Sequence, residues 1–157
     1  MTRSALVLVV STRASAGVYA DETGPLIRTW LTERGFAVPE PIVAPDAEVA
    51  VALAAALATG PDLILTTGGT GVSPDDRTPE ATSALLDREL PGLIEELRRR
   101  GLAATPMALL TRGVAGVAGR SVVMNLPGSR GGVRDGLAVL DPILDHLLGQ
   151  VAGTAGH

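Results

Sequence analysis

Cysteine and lysine are both absent from this chain of 157 residues. Without cysteine there are no disulfides, no thiolate metal sites and no thiol nucleophile. Without lysine there is no lysine-based phosphate loop and no Schiff-base chemistry; all 13 basic residues are arginine. Aromatics are nearly missing too, with only Tyr19, Trp30 and Phe36 present. The core must then be built from Leu, Val, Ile and Ala, the material of parallel sheets covered on both faces. A net charge of -4 argues against a nucleic-acid partner, which needs a basic surface. It also implies that a bound polyphosphate arrives with a metal ion. No stretch approaches transmembrane length. Arg3, the following apolar run and Ala14-Ser15-Ala16 faintly mimic a signal peptide. The run Ala5–Val10 is shorter than the roughly 7–15 residues such a segment needs, and Arg13 breaks the apolar character soon after it. A buried first strand and a cytoplasmic protein with no membrane partner are expected.

What is present is hydrophobic: 46% of residues are apolar, enough for a folded globule. The length suits one domain over residues 1–150, with residues 151–157 a frayed tail. Apolar runs predict strands at Ala5–Val10, Phe36–Val43, Asp62–Thr67 and Ser121–Asn125, the second made irregular or an edge by Pro39 and Pro41. Helices are expected from Gly24-Pro25 to Arg34, over Ala47–Ala58, from Thr78-Pro79 to about Arg88, over Pro91–Arg100 and from about Val133 to Leu148. Asp46 is a candidate cap for the second of these, and Thr78 for the third. Met107–Arg112 is ambiguous between strand and helix. The alternation predicts an α/β fold, a three-layer doubly wound sandwich with a mostly parallel central sheet. Ligands of such sheets bind beyond the carboxyl ends of the strands. Four loops carrying informative residues converge there: Ser11–Asp21, Pro45-Asp46, Gly68–Thr78 and Leu126–Gly132.

Gly68-Gly69-Thr70-Gly71 follows a strand directly. Glycines permit positive φ, so successive N–H groups can line one concavity and hold an anion. Thr67 and Thr70 add hydroxyl donors. The pattern is neither the Gly-Lys-Ser/Thr phosphate loop nor Gly-x-Gly-x-x-Gly. Asp75 and Asp76 are neighbours, so in an extended segment only one faces the ligand. A carboxylate beside bound phosphate makes sense with Mg²⁺ between them, and Asp46 is the second candidate for that role. Asn125-Leu126-Pro127-Gly128-Ser129 leads into a helix N-terminus, which favours negative charge, and Arg130 and Arg134 can add countercharge. Arg98–Arg100 suits a helix end, and His146 and His157 are not spaced as a metal site.

Taken together, Thr66-Thr67-Gly68-Gly69-Thr70-Gly71, Asp76, Thr78-Pro79-Glu80-Ala81 and Asn125-Leu126-Pro127-Gly128-Ser129 resemble the MogA/MoaB family of molybdenum-cofactor biosynthesis proteins, related to the gephyrin G domain. Ser11-x-Arg13-Ala14-Ser15-x-Gly17-x-Tyr19-x-Asp21 is similar to the family's first loop, and Ala115-Gly116-x-x-Gly119 to its late turn. The similarity spans about residues 5 to 148.

The resemblance implies a homotrimer and molybdopterin adenylyltransferase activity, in which the molybdopterin phosphate attacks the α-phosphate of Mg-ATP. ATP would be co-substrate, Mg²⁺ the cofactor, and Asp46 and Asp76 the essential metal-side acids. Ser11, Ser15, Thr67, Gly68, Gly69, Thr70, Gly71, Asn125, Pro127, Gly128, Ser129 and Arg130 would hold substrate phosphates. Three positions depart from the family pattern. Thr12 stands where Asp is frequent, Arg130-Gly131 replaces Pro-Lys, and Ser73-Pro74-Asp75 lacks a basic residue before Asp76. Two other functions fit the same features: a non-catalytic pterin-binding paralogue, and a hydrolase of nucleotide pyrophosphates.

Overall fold

The computed structural model describes residues 2–17 and 20–154. Six strands form one sheet in the order β2-β1-β3-β6-β5-β4. They are β1 (Ala5–Val10), β2 (Ile42–Ala44), β3 (Leu63–Thr67), β4 (Arg88–Glu89), β5 (Ala115–Ala118) and β6 (Ser121–Leu126). The neighbours from β2 through β6 run parallel, whereas β5 and β4 are antiparallel additions at the far edge. The α-helices among the described residues are α1 (Thr12–Ser15), α2 (Thr23–Glu33), α3 (Val49–Ala58), α4 (Thr78–Ser83), α5 (Pro91–Gly101), α6 (Arg130–Leu140) and α7 (Leu144–Ala152).

The strand pleat sorts alternate residues into two cores. Val7, Val9, Leu63, Leu65, Val122, Met124 and Leu126 pack with α2, α5, α6 and α7 on one face. Leu8, Val10, Ile64 and Val123 pack with α3 and the Ala81–Leu86 segment on the other. Both faces of the central strands are therefore dry, and each fully buried Leu or Ile contributes about 1.5–3 kcal/mol. This is the three-layer sandwich with a mostly parallel sheet that the sequence predicts.

Four elements differ from expectation. Phe36–Val43 is not a continuous strand: Ala37 makes one bridge to Ser4, and only Ile42–Ala44 pairs with β1. Pro39 and Pro41 have no N–H to donate, so a ladder across them cannot form. The helix after the glycine loop stops at Ser83, because Asp87 and Leu90 donate their N–H groups to Val117 and Ala115 at the sheet edge. The late turn is largely β5, and Gly116 lets β4 approach: a Cβ there would lie 2.2 Å from the Arg88 carbonyl oxygen. The last helix is two helices, α6 starting at Arg130 and α7 at Leu144, since Pro142 cannot continue the hydrogen-bond ladder. Met107–Arg112 falls partly in a 3-10 turn, Pro106–Leu110. Helix α7 runs past residue 150 to Ala152, and the Thr154 N–H donates to Gly149 O.

The parallel register brings the carboxyl ends of β1, β3 and β6 level, with Val9 beside Thr67 and Thr67 beside Leu126. Their following loops, and the Pro45-Asp46 turn after β2, open on one edge. Among the described residues, no helix is long and apolar enough to cross a membrane.

Candidate active site at the carboxyl edge of the sheet

The glycine loop is packed against β1. Gly68 has φ +95°, and a Cβ there would stand 2.3 Å from Val10 O. Gly69 has φ +67°, and its Cβ would stand 2.3 Å from the Thr78 hydroxyl. Both positions therefore need glycine twice over, for conformation and for space. Thr78 ties the loop from behind: its hydroxyl donates to Gly68 O at 3.0 Å and its N–H to Gly69 O at 3.2 Å. Thr78 is thus the first residue of α4 rather than its cap. Among the described residues, the N–H groups of Gly69, Thr70, Gly71 and Val72 carry no hydrogen bond. Four consecutive amide donors are therefore without a partner inside the protein.

Two carboxylates flank this row. Asp46 Oδ1 lies 3.3 Å from the point a Gly69 Cβ would occupy, and Asp76 Oδ2 lies 2.8 Å from that of Gly71. Asp46 does not cap its helix with its side chain. Its Oδ2 instead accepts from the Thr12 N–H at 3.2 Å and hydroxyl at 2.8 Å. Asp76 is half-buried, and its Oδ2 accepts from the Ser73 N–H at 3.0 Å. Asp75 is exposed, so of the two neighbours Asp76 is the one turned onto the loop. Among the described residues, no group of three or more Asp, Glu, His or Cys could hold a metal ion. A cation here would need oxygens from a ligand as well as from Asp46 and Asp76, which is the usual Mg²⁺ arrangement with phosphates.

Beside the loop is a cleft of about 190 Å³, lined among others by Ser11, Asp21, Gly68, Gly128, Ser129 and Arg130. Gly128 sits directly on Gly68, the gap from its Cβ position to Gly68 Cα being 3.4 Å. Ser129 caps α6 by accepting from the Gly132 N–H at 3.1 Å. An apolar groove of about 260 Å³, including Met107, Ala108 and Thr111, lies on the other side of Pro127 and Ser129. The two depressions share Ser129 as a wall.

A family model described as "Probable molybdopterin binding domain" matches residues 6–146. The chain belongs to the MogA/MoaB family. It is 47% identical to the molybdopterin biosynthesis enzyme MoaB of Thermus thermophilus, with a TM-score of 0.87 and 99% of each chain covered. It is 39% identical over 134 residues to the molybdopterin adenylyltransferase of Haemophilus influenzae, covering 82% of this chain and 68% of that one. It is 42% identical over 151 residues to the molybdenum cofactor biosynthesis bifunctional protein of Synechococcus elongatus. That match takes 95% of this chain but 47% of the relative, so the chain spans about half of that protein.

Not every residue that the MogA/MoaB pattern nominates reaches the cleft. Thr67 does line it, but its hydroxyl is taken up inside the protein, donating to Pro127 O at 2.7 Å and lying 3.3 Å from the Thr23 hydroxyl. Thr70 is buried, and its hydroxyl lies 3.3 Å from that of Thr111. Asn125 is 1% exposed, and its side-chain hydrogen bonds are internal. It accepts from the Val114 N–H at 3.0 Å and donates to the hydroxyls of Thr66 and Thr82 at 2.9 and 3.0 Å. Ser15 turns its hydroxyl back to Thr12 O at 2.9 Å. Tyr19 of the first-loop pattern lies outside the described residues.

Sequence reasoning missed Thr12 as the partner of Asp46 and Thr78 as the tie behind the glycine loop, and it missed Arg112 altogether. Arg112 donates through Nε to Gly71 O at 2.7 Å, through Nη2 to Asp76 O at 3.0 Å, and to both carboxylate oxygens of Glu80 at 2.9 and 3.2 Å. The hydrogen bond from Arg112 holds the Glu80 carboxyl below its usual range, and the same bond raises Arg112. No local signal announces this, because Arg112 is 41 residues from Gly71 in the chain.

Proposed function

We propose that this protein is a molybdopterin adenylyltransferase. The observation that carries the reading is the row of four unpaired amides on a loop flanked by two carboxylates, Asp76 from the loop itself and Asp46 from the turn after β2. Amide donors suit phosphate oxygens, whereas Asp46 and Asp76 would repel them in the absence of a cation. Mg²⁺, when bound with ATP, would neutralise charge on the triphosphate as it is attacked. Asp46 and Asp76 would hold that ion, and the amides of Gly69 to Val72 would orient the phosphate chain. A molybdopterin phosphate oxygen then forms a bond to the α-phosphorus, the bond from that phosphorus to the β-bridging oxygen breaks, and pyrophosphate leaves. Arg130, exposed at the cleft, supplies positive charge from one position before the family's usual site. Such a reaction asks the protein mainly for positioning and electrostatics. Two depressions that share one wall suit a reaction of two substrates. The name of the Haemophilus relative supports the same activity.

The assay is pyrophosphate release on mixing molybdopterin, ATP and Mg²⁺. Asp76→Ala is expected to abolish it and Asp46→Ala to reduce it strongly. Full activity in both variants overturns the roles given to these residues.

One observation favours a second reading, a pterin-binding protein without turnover: Asp46 and Asp76 each already have one oxygen tied to internal donors. Molybdopterin binding with no pyrophosphate release decides for it. In the proposed reading the protein is a cytoplasmic homotrimer, and exposed apolar side chains such as Met107, Leu109 and Leu110 are surface an assembly could bury. Light scattering at the monomer mass contradicts the trimer.

A further inference from the structure

The four free amides have a common cause. In a trans peptide the N–H of one residue points opposite to the C=O of the residue before it. Gly68 O and Gly69 O are held by Thr78, which turns the N–H groups of Gly69 and Thr70 away from Thr78. Thr70 O is held by the Arg112 N–H at 2.7 Å, and Gly71 O by Arg112 Nε at 2.7 Å. Those bonds turn the N–H groups of Gly71 and Val72 away from Arg112. The guanidinium also takes Asp76 O, so the turn that carries the Asp76 carboxylate is fastened by the same side chain. Glu80, on α4, fixes the guanidinium by a bidentate contact, whose planar fork suits simultaneous bonds in one plane.

We infer that Arg112 is a positioning residue of the anion site, its side chain orienting the Gly71–Val72 peptide and the Asp76 turn, with Glu80 holding the guanidinium in place. Arg112 acts through the loop and touches no ligand. The Thr70 contact is made by the Arg112 main chain, so substitution of the side chain leaves that peptide held. The Gly71 and Asp76 carbonyls lose their partner, as does the Glu80 carboxylate. The inference rests on the reading of the loop as a polyphosphate site.

The test is equilibrium binding of inorganic pyrophosphate with Mg²⁺ to the wild-type protein and to Arg112→Ala, Arg112→Lys and Glu80→Gln. Amide NMR spectra and thermal midpoints accompany each titration. Arg112→Ala is expected to bind pyrophosphate about 10–100-fold more weakly, the usual range for removing an outer support of a site. Arg112→Lys recovers only part of the affinity, since an ammonium cannot reproduce the fork. Glu80→Gln loses a few-fold, on the order of a weakened surface ion pair. In the free protein, the Val72 and Arg77 amide signals shift in Arg112→Ala while those of β1 and β3 stay in place. Thermal midpoints move by no more than about 2–4 °C.

Wild-type affinity in Arg112→Ala overturns the inference, and so does a wild-type protein that binds no pyrophosphate. Should Arg112→Ala fail to fold, Arg112→Lys and Glu80→Gln carry the same criterion. Pyrophosphate binding that depends on Arg112, in a protein without adenylyl transfer, supports this inference and overturns only the reaction.

Discussion

The Thr12 hydroxyl donates to Asp46 Oδ2 at 2.8 Å and accepts from the Asp46 N–H at 3.1 Å. This reciprocal pair ties the loop after β1 to the turn after β2 and leaves Asp46 Oδ1 directed at the glycine loop. It also gives a role to one of the three positions at which the chain departs from its family pattern.

Thr12→Val removes both hydroxyl contacts at nearly constant volume. Adenylyl transfer is expected to fall on the order of tenfold, as for loss of a support to a metal-side ligand, while Thr12→Ser stays within a few-fold of wild type. A kinetic comparison at saturating Mg²⁺ checks this; equal rates for all three proteins would mean that Asp46 needs no orienting partner.

Thr12→Asp would set a second carboxylate against Asp46. Like charges at that distance disfavour each other unless a cation lies between them. Activity in this variant is expected to require more complete Mg²⁺ loading, seen as a steeper loss on chelation than in wild type. An unchanged Mg²⁺ titration counts against Asp46 as a metal-side residue.

Gly68→Ala places a Cβ 2.3 Å from Val10 O at φ +95°. The backbone strain alone is about 1–3 kcal/mol, and the clash is with main chain that cannot rotate away. Stability and pyrophosphate binding should both drop. Gly131→Ala is the control, because nothing lies within 4 Å and the position is helical. It should be neutral or stabilising by about 0.5–1 kcal/mol. Chemical denaturation of the pair measures the contrast.

Asn125→Ala leaves the buried Thr66 hydroxyl and the Val114 N–H without their partner and takes one of two from the Thr82 hydroxyl, which still donates to Thr78 O. Each unsatisfied buried group costs about 1–3 kcal/mol, so a destabilisation above about 2 kcal/mol is expected. A thermal midpoint close to wild type would restore Asn125 as a candidate ligand contact.

Acid should loosen the glycine loop. The Glu80 carboxyl sits below its ordinary value of 4.5, first because Arg112 donates to it. For a carboxylate lowered by folding, the stabilisation is complete above the unfolded value and disappears as pH falls through the folded one. The strap therefore holds at neutral pH and weakens only below about 4.5. Glu80 is largely exposed, so the effect on global stability is small. Hydrogen exchange at Val72 and Arg77, followed from pH 7 downward, should accelerate only in that acid range; acceleration near neutrality would point to a different group.

Residue types alone were enough for the strand Ala5–Val10, and for Asp62–Thr67 to within one residue, because an unbroken aliphatic run is what a strand buried on both faces requires. They also pointed to Asp46, Asp76 and the glycine row, which the fold places beside one another at the carboxyl edge of the sheet. The short edge strands β4 and β5 were not legible. Arg88–Glu89 is polar and two residues long, and it is a strand only because Val117 and Gly116 lie opposite.

The amino-acid sequence determined which backbone could turn tightly and which side chains could meet a charge. Only the tertiary structure decided which donors are left without a partner inside the protein. The Asn125 amide and the Thr67 hydroxyl look like ligand groups in the sequence, yet folding gives each an internal partner. Arg112 looks incidental there, yet the fold lays it along the back of the loop. The reason is that a hydrogen bond depends on position and angle, and those are set by packing between segments far apart in the chain.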